Sequence, residues 1–168
     1  NYTNDLKIIS KKIDWIGINY YTRTIVKKDN KEKYFGFKTL KGKLPKTDMG
    51  WEIFPEGLTH VINKFTKNYS KSIPIYITEN GMAHDDTIKK GIINDQERIS
   101  FYKRHLKEIM NLLKGGVLLK GFFAWSLLDN FEWAFGYSKR FGLIYVDFKT
   151  QKRVCLLYTS DAADDLVG

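Results

Sequence analysis

The amino-acid sequence predicts an α/β fold. Two observations carry this expectation: short apolar runs that stop abruptly at polar residues or glycine, and longer segments between them whose apolar side chains recur at helical spacing. The two kinds of segment alternate along a chain of 168 residues, the pattern expected of strands and helices packed in layers.

Taken in order, residues 13–22 read as a strand. Residues 56–69 follow Pro55 and carry Leu58, Val61, Ile62 and Phe65 at helical spacing. The second strand, 73–78, has isoleucine at 73, 75 and 77 and leads to Asn80-Gly81, a turn signal. A helix over 94–114 places Ile99, Tyr102, Leu106, Ile109, Met110 and Leu113 on one face. Asn94 with Glu97 three residues on resembles a capping box, and Gly115-Gly116 supplies a left-handed stop. A third strand is expected over 117–126, and 141–148 is extended, with Leu143, Tyr145 and Asp147 alternating.

Glu79 is the residue to explain. Ile75-Tyr76-Ile77-Thr78-Glu79-Asn80-Gly81 reads as a buried strand whose last side chains emerge at a turn, so its carboxylate stands at the mouth of a sheet. On these residues alone it serves equally well as a cap for the next helix or a partner for a lysine. The run Gly121-Phe122-Phe123-Ala124-Trp125-Ser126-Leu127-Leu128-Asp129-Asn130-Phe131-Glu132-Trp133 ends in similar chemistry. Carboxylates accept paired hydrogen bonds from neighbouring hydroxyls, and flat aromatic faces pack on the C–H face of a pyranose, so the pattern suits a sugar. The competing reading makes these tryptophans core.

These two segments, with Ile16-Gly17-Ile18-Asn19-Tyr20-Tyr21-Thr22 and Thr47-Asp48-Met49-Gly50-Trp51-Glu52-Ile53-Phe54-Pro55-Glu56-Gly57-Leu58, resemble glycoside hydrolase family 1, in order from about Asn4 to Arg153. The resemblance implies a partial (β/α)₈ TIM barrel, since a complete one takes about 250 residues. The three strands match the family's strands six, seven and eight. It also implies a retaining reaction, in which one carboxylate attacks the anomeric carbon while another, about 5 to 5.5 Å away, protonates the leaving oxygen. Glu79 matches the nucleophile, Tyr21 the tyrosine that donates a hydrogen bond to it, and Asn19 a residue of the same sugar subsite. Trp125 matches the floor under the sugar ring, Glu132 and Trp133 the pair that hydrogen-bonds the far hydroxyls, and Phe141 lines the same subsite. Asp129 and Asn130 are expected to orient the loop. Gly115-Gly116-Val117 stands where the family often has Asp-Gly-Val, which puts that turn in doubt.

The family's acid/base glutamate lies in an Asn-Glu-Pro motif that this sequence does not contain. The chain alone is therefore expected to be inactive on ordinary glycosides, although a very good leaving group would let Glu79 be glycosylated slowly. The complete enzyme is expected to be a β-glucosidase acting on terminal non-reducing β-D-glucosyl residues, with no cofactor and no metal. Members acting on 6-phosphosugars carry serine, lysine and tyrosine around the loop after strand eight. Here only Lys139 fits, Phe141 replaces the tyrosine, and Glu132 would repel a phosphate. The oligomeric state, and the balance with galactosidase and fucosidase activity, stay open.

Two other readings stand beside this one. The first is a non-catalytic sugar- or protein-binding relative of the same family. The second is a free-standing interaction domain, which would need cover for the outer edges of the strands near Ile16 and Phe123. No such cover is legible, so the chain alone is expected to be poorly soluble or molten.

Residues 1–154 read as the C-terminal portion of one glycosidase domain that starts upstream of Asn1. Residues 155–168 read as a non-native tail, because Cys155-Leu156-Leu157-Tyr158-Thr159-Ser160-Asp161-Ala162-Ala163-Asp164-Asp165 turns acidic and resembles a translated sequencing adapter. Excluding it removes the only cysteine, and with it any disulfide or thiolate chemistry. It also removes three aspartates, so 28 basic side chains face 16 acidic ones and the net charge rises from +9 to +12. The lysines are dispersed. Residues 27–46, where Lys alternates with Tyr34, Phe35 and Phe37, form the best candidate for a nucleic-acid patch, but they read as a solvated loop over the barrel mouth, and no nucleic-acid partner is expected. No apolar run reaches transmembrane length, so no membrane span is expected. Nothing before Ile13 resembles a signal or transit peptide, and the compartment stays open with the cytoplasm favoured.

Overall fold

Apolar runs do become strands in the computed structural model, which describes residues 2–86, 88–89, 92–93 and 95–155. The elements are α1 (Tyr2–Ile9), β1 (Ile16–Asn19), β2 (Ile25–Lys28), β3 (Phe37–Leu40), α2 (Glu56–Asn68), β4 (Ile75–Asn80), β5 (Ile88–Lys89), β6 (Ile92–Ile93), α3 (Gln96–Lys114), β7 (Leu119–Ala124), β8 (Ile144–Val146) and β9 (Arg153–Cys155). Strands β1, β4 and β7 form a parallel sheet in that order. Ile16 pairs with Ile75, Asn19 with Glu79, and Ile75 in turn with Leu119. Pro74, which has no N–H to donate, sits just before β4, where its carbonyl accepts the Ile16 N–H at 2.9 Å.

One face of this sheet meets both long helices. Ile16, Ile18, Ile75, Ile77 and Leu119 pack against Leu58 and Ile62 of α2 and Ile109 and Leu112 of α3. Leu58, Ile62, Ile75 and Ile77 keep no exposed surface, and each such burial contributes about 1.5–3 kcal/mol. The helix-period apolar positions are thus the ones that fix the helices to the sheet. A second cluster, Ile53, Met82, Phe101 and Tyr102, lies under the loops that follow β4 and β7.

The other face is open. Trp15, Tyr76, Thr78 and Phe123 line an apolar cavity of about 360 Å³, with Trp15 53% and Phe123 57% exposed. Among the described residues no strand pairs with the outer edge of β1 or β7. Helices on one face and bulky side chains on the other is the arrangement of a segment of a β/α barrel.

The C-terminus of α3 is built as its glycines predict. Gly116 has φ +78°, its N–H bonds Leu113 O at 3.0 Å, and the Val117 N–H bonds Leu112 O at 3.1 Å, which is the Schellman pattern. Gly115 in place of aspartate leaves that turn intact. The N-terminus differs from expectation: the helix starts at Gln96 with Asp95 in the capping position and no side-chain cap. Asp95 pairs with Arg98 instead. The proposed cap residue, Asn94, lies outside the described residues.

Three further differences have physical causes. Residues 27–46 are not simply a loop: β2 and β3 pair antiparallel, with Lys27 opposite Lys38. All of β3 is exposed, and a strand wet on both faces loses the alternation that marks strands in sequence. Within 141–148 only β8 is regular, and it pairs with β9 instead of joining the parallel sheet. Helix α1, with no buried residue, has no core-facing pattern to announce it. No helix among the described residues is long and apolar enough to cross a membrane.

Candidate active site

The C-terminal ends of the three parallel strands are tied to one another by backbone polar groups. The Tyr20 N–H donates to Glu79 O at 2.9 Å and the Trp125 N–H to Asn80 O at 2.8 Å. Buried Asn80 returns a bond from Nδ2 to Tyr20 O at 2.7 Å. Gly81 is required by close approach, since a Cβ there would stand 1.8 Å from the Trp125 carbonyl oxygen. Glu79 therefore projects from a backbone fixed on both sides.

Among the described residues its carboxylate has one side-chain donor: Tyr21 Oη donates to Glu79 Oε2 at 2.8 Å. Burial pushes the Tyr21 phenol up, and the hydrogen bond to Glu79, the charge of Glu79 and that of Glu132 push it further. It stays protonated, and hence a donor, far beyond neutral pH. Asn19, opposite Glu79 in the register, accepts from Thr78 Oγ1 at 2.6 Å. Glu132 is raised above the usual carboxylate range by burial and by the charge of Glu79. Two carboxylates thus share one field, and the phenol stands in it.

Three rings close the site from behind. Tyr21 lies 5.3 Å from Trp51 and 6.2 Å from Phe141, and Trp51 lies 6.2 Å from Phe141, centroid to centroid. Phe141 is 3% exposed, so it backs Tyr21 and does not present a face to solvent. Trp125, joined to Ser126 by a cis peptide bond, is half-buried at the end of β7. Trp133 is 87% exposed. Glu79, Tyr21, Asn19, Phe141 and Glu132 are gathered; Trp125 borders them through Asn80.

The loop after β7 is braced by its own polar residues. Asn130 Nδ2 donates to Ser126 Oγ at 3.0 Å and Leu128 O at 3.1 Å. The Asp129 carboxylate accepts from the Gly142 and Val146 N–H groups and from Arg140 at 2.6 Å. Lys139 Nζ donates to Asp48 O at 2.7 Å, tying this loop to the turn that carries Trp51. Trp51 lies within the 47–58 motif, but no role for it is legible in the sequence. Nor is a buried cluster in which Arg98 pairs with Asp86 at 2.9 Å and with Asp95. Among the described residues no group of three or more His, Cys, Asp or Glu could hold a metal ion.

Comparison with known proteins agrees with this architecture. The profile of glycosyl hydrolase family 1 matches residues 2–160. The chain is 47% identical over 156 residues to a 1,4-beta-D-glucan glucohydrolase of Thermotoga neapolitana, covering 92% of this chain and 36% of that protein. It is 48% identical over 155 residues to beta-glucosidase A of Thermotoga maritima, covering 92% and 34%. The solved structure of a family 1 β-glucosidase from Thermotoga maritima superimposes with a TM-score of 0.89 at 44% identity, covering 98% of this chain and 38% of that one. The chain thus spans about a third of the length of the curated relatives it matches. With the parallel strands, the carboxylate at their C-terminal ends and these matches taken together, the chain belongs to glycosyl hydrolase family 1.

Proposed function

We propose that this chain carries the nucleophile half of a retaining β-glycosidase, strands six to eight of its barrel, acting on unphosphorylated terminal β-D-glucosyl residues. The observation that carries the reading is the 2.8 Å bond from Tyr21 to Glu79 at the C-terminal end of a parallel sheet, the end at which barrel enzymes hold their chemistry. Tyr21 occupies Oε2, which leaves Oε1 free to attack the anomeric carbon. The bond that forms is a glycosyl ester to Glu79, and the bond that breaks is the one to the leaving oxygen. That oxygen takes its proton from an acid/base glutamate outside the Asn1–Gly168 sequence, so the chain alone is inactive on ordinary glycosides. Water then attacks the ester and releases the sugar with retained configuration.

In this reading Asn19 and Trp125 bind the ring, and Glu132 and Trp133 bind its far hydroxyls. Phe141 holds Tyr21 from behind. A neutral sugar is favoured because a phosphate beside Glu132 would meet the like charge of a carboxylate. Lys139, the one cation of the phosphosugar pattern present, is engaged by the Asp48 carbonyl. Residues 155–168 take no part.

The test is a hybrid in which residues 1–154 replace the matching third of the Thermotoga maritima relative. A folded hybrid should hydrolyse an aryl β-glucoside and leave its 6-phosphate derivative untouched, and Glu79→Gln should abolish the activity. A folded hybrid that is inactive, or one that survives Glu79→Gln, rules the assignment out.

A further inference from the structure

Asp86 after β4, Asp95 at the start of α3, a helix arginine and a second ion pair form one chain of charges behind the site. Arg98 has no exposed surface; its Nη1 donates to Asp95, and its Nη2 donates both to Asp86 at 2.9 Å and to the Arg140 carbonyl at 3.3 Å. The same carbonyl accepts the His84 N–H at 3.1 Å. The Arg140 side chain then turns back to Asp129 at 2.6 Å. A buried ion pair contributes little net stability, because desolvation offsets most of its attraction, so the network needs another reason to be there.

That reason lies in what it holds. Residues 140, 141 and 142 are pinned in succession: the Arg140 carbonyl by Arg98 and His84, the Phe141 carbonyl by the Ser126 N–H at 3.1 Å, and the Gly142 N–H by Asp129 at 3.0 Å. Gly142 sits so close that a Cβ would stand 2.3 Å from the Asp129 nitrogen. Between these anchors the Phe141 ring meets Tyr21 edge-on, at 81°, and Tyr21 donates to Glu79. We propose that Asp129, Arg140 and Arg98 are positioning residues for the nucleophile, acting by fixing Phe141 against Tyr21 so that the phenol keeps its bond to Glu79. The proposal rests on the reading of Glu79 and Tyr21 as a catalytic pair.

Nitration by tetranitromethane, which attacks the phenolate, reads the state of Tyr21 directly in the folded hybrid that carries residues 1–154 of this chain. Peptide mass spectrometry gives each tyrosine's rate relative to the exposed Tyr69. Wild-type Tyr21 should react slowly. Asp129→Ala should raise its rate several-fold while buried Tyr20 and Tyr102 stay protected, Asp129→Asn should give a smaller rise, and Arg140→Gln should follow Asp129→Ala. Ile62→Val, a core change remote from the network, should raise none of the three selectively. If Asp129→Ala and Arg140→Gln leave Tyr21 at its wild-type rate, or if Tyr20 and Tyr102 rise along with it, the positioning role is overturned. A wild-type Tyr21 that reacts as fast as Tyr69 overturns it as well. Glu79→Gln separates the two layers: if Tyr21 speeds up there but not in Asp129→Ala, the pair stands and only the network's role fails, whereas no change in Glu79→Gln sinks the pair itself.

Discussion

Tyr21 and Glu79 lie 58 positions apart in the chain and 2.8 Å apart in space, with the phenol donating and the carboxylate accepting. The Tyr20 N–H bond to the Glu79 carbonyl holds the two strand ends together, so the contact is built into the backbone and is not a chance meeting of two flexible side chains. A hydrogen bond to a charged group contributes about 1.5–3 kcal/mol. Tyr21→Phe keeps the ring against Trp51 and Phe141 and removes only the donor. In the hybrid enzyme it should lower kcat/KM by about tenfold to a hundredfold, mostly in kcat, since the bond orients the attacking group. A loss of less than about twofold would mean that the phenol has no part in orienting Glu79.

Gly81 and Gly116 should respond to alanine for different reasons. At Gly81 the added Cβ would meet the Trp125 carbonyl oxygen at 1.8 Å, and because that obstacle is backbone there is no cheap escape. Overpacking of this kind costs about 1–3 kcal/mol, and because the strain falls two residues from Glu79, activity should fall with stability. At Gly116 nothing lies within 4 Å and the difficulty is φ +78° alone. Gly116→Ala should cost about 1–2 kcal/mol and leave kcat unchanged. Urea unfolding and aryl-glucosidase assays on the two hybrids check both statements.

The sequence announced the three parallel strands and both packed helices because each has one face in the core, and burial writes a period into the residues. It announced Glu79 and Tyr21 because motif order survives in a single sequence. It could not announce the hairpin β2–β3, where Lys27 faces Lys38 and no residue of β3 is buried. Nor could it announce the charge network: Asp86 and Arg98 are 12 positions apart, Asp129 and Arg140 are 11, and Arg98 and Arg140 are 42. In a chain with 28 basic and 19 acidic residues such pairs are invisible until the fold joins them. Only Asp95 with Arg98, three apart on one helical turn, had a local signature. Trp133 shows the converse, a residue legible by motif whose ring the described fold leaves 87% exposed.

The open face of the sheet makes a two-sided prediction. Trp15 and Phe123 present apolar surface beside two unpaired strand edges, which is a template for association. The 168-residue chain should therefore sediment as oligomers, and Phe123→Lys should shift it toward monomer. In the hybrid the same substitution places a charge inside the barrel and should destabilise by at least about 3 kcal/mol. A chain that is monomeric with Phe123 intact, or a hybrid indifferent to Phe123→Lys, would show that this face is not the barrel interior.

His105 sets the acid limit of the fold. Its ring lies 3.9 Å from that of Phe101, its Nδ1 is 2.8 Å from Phe101 O, and no surface is exposed. Burial pushes it down from 6.5 to about 4. Above pH 6.5 both folded and unfolded forms are neutral and the full stability is present. Between 6.5 and 4 the unfolded chain takes up a proton that the folded one refuses, so stability falls by about 1.4 kcal/mol per pH unit, to a total of about 3 kcal/mol. Asp95 works in the opposite sense. Burial, opposed by Arg98, raises it to about 6, so its contribution is fully present below its unfolded value and is lost as pH rises through 6. A wild-type pH profile mixes the two, and the difference between wild type and His105→Gln removes Asp95 from the comparison. That difference, from urea midpoints of the hybrid, should be flat above about pH 7 and should move against wild type by about 3 kcal/mol on acidification to about pH 4. A difference that stays constant across that range would mean that His105 takes its proton in the folded state as readily as in the unfolded one.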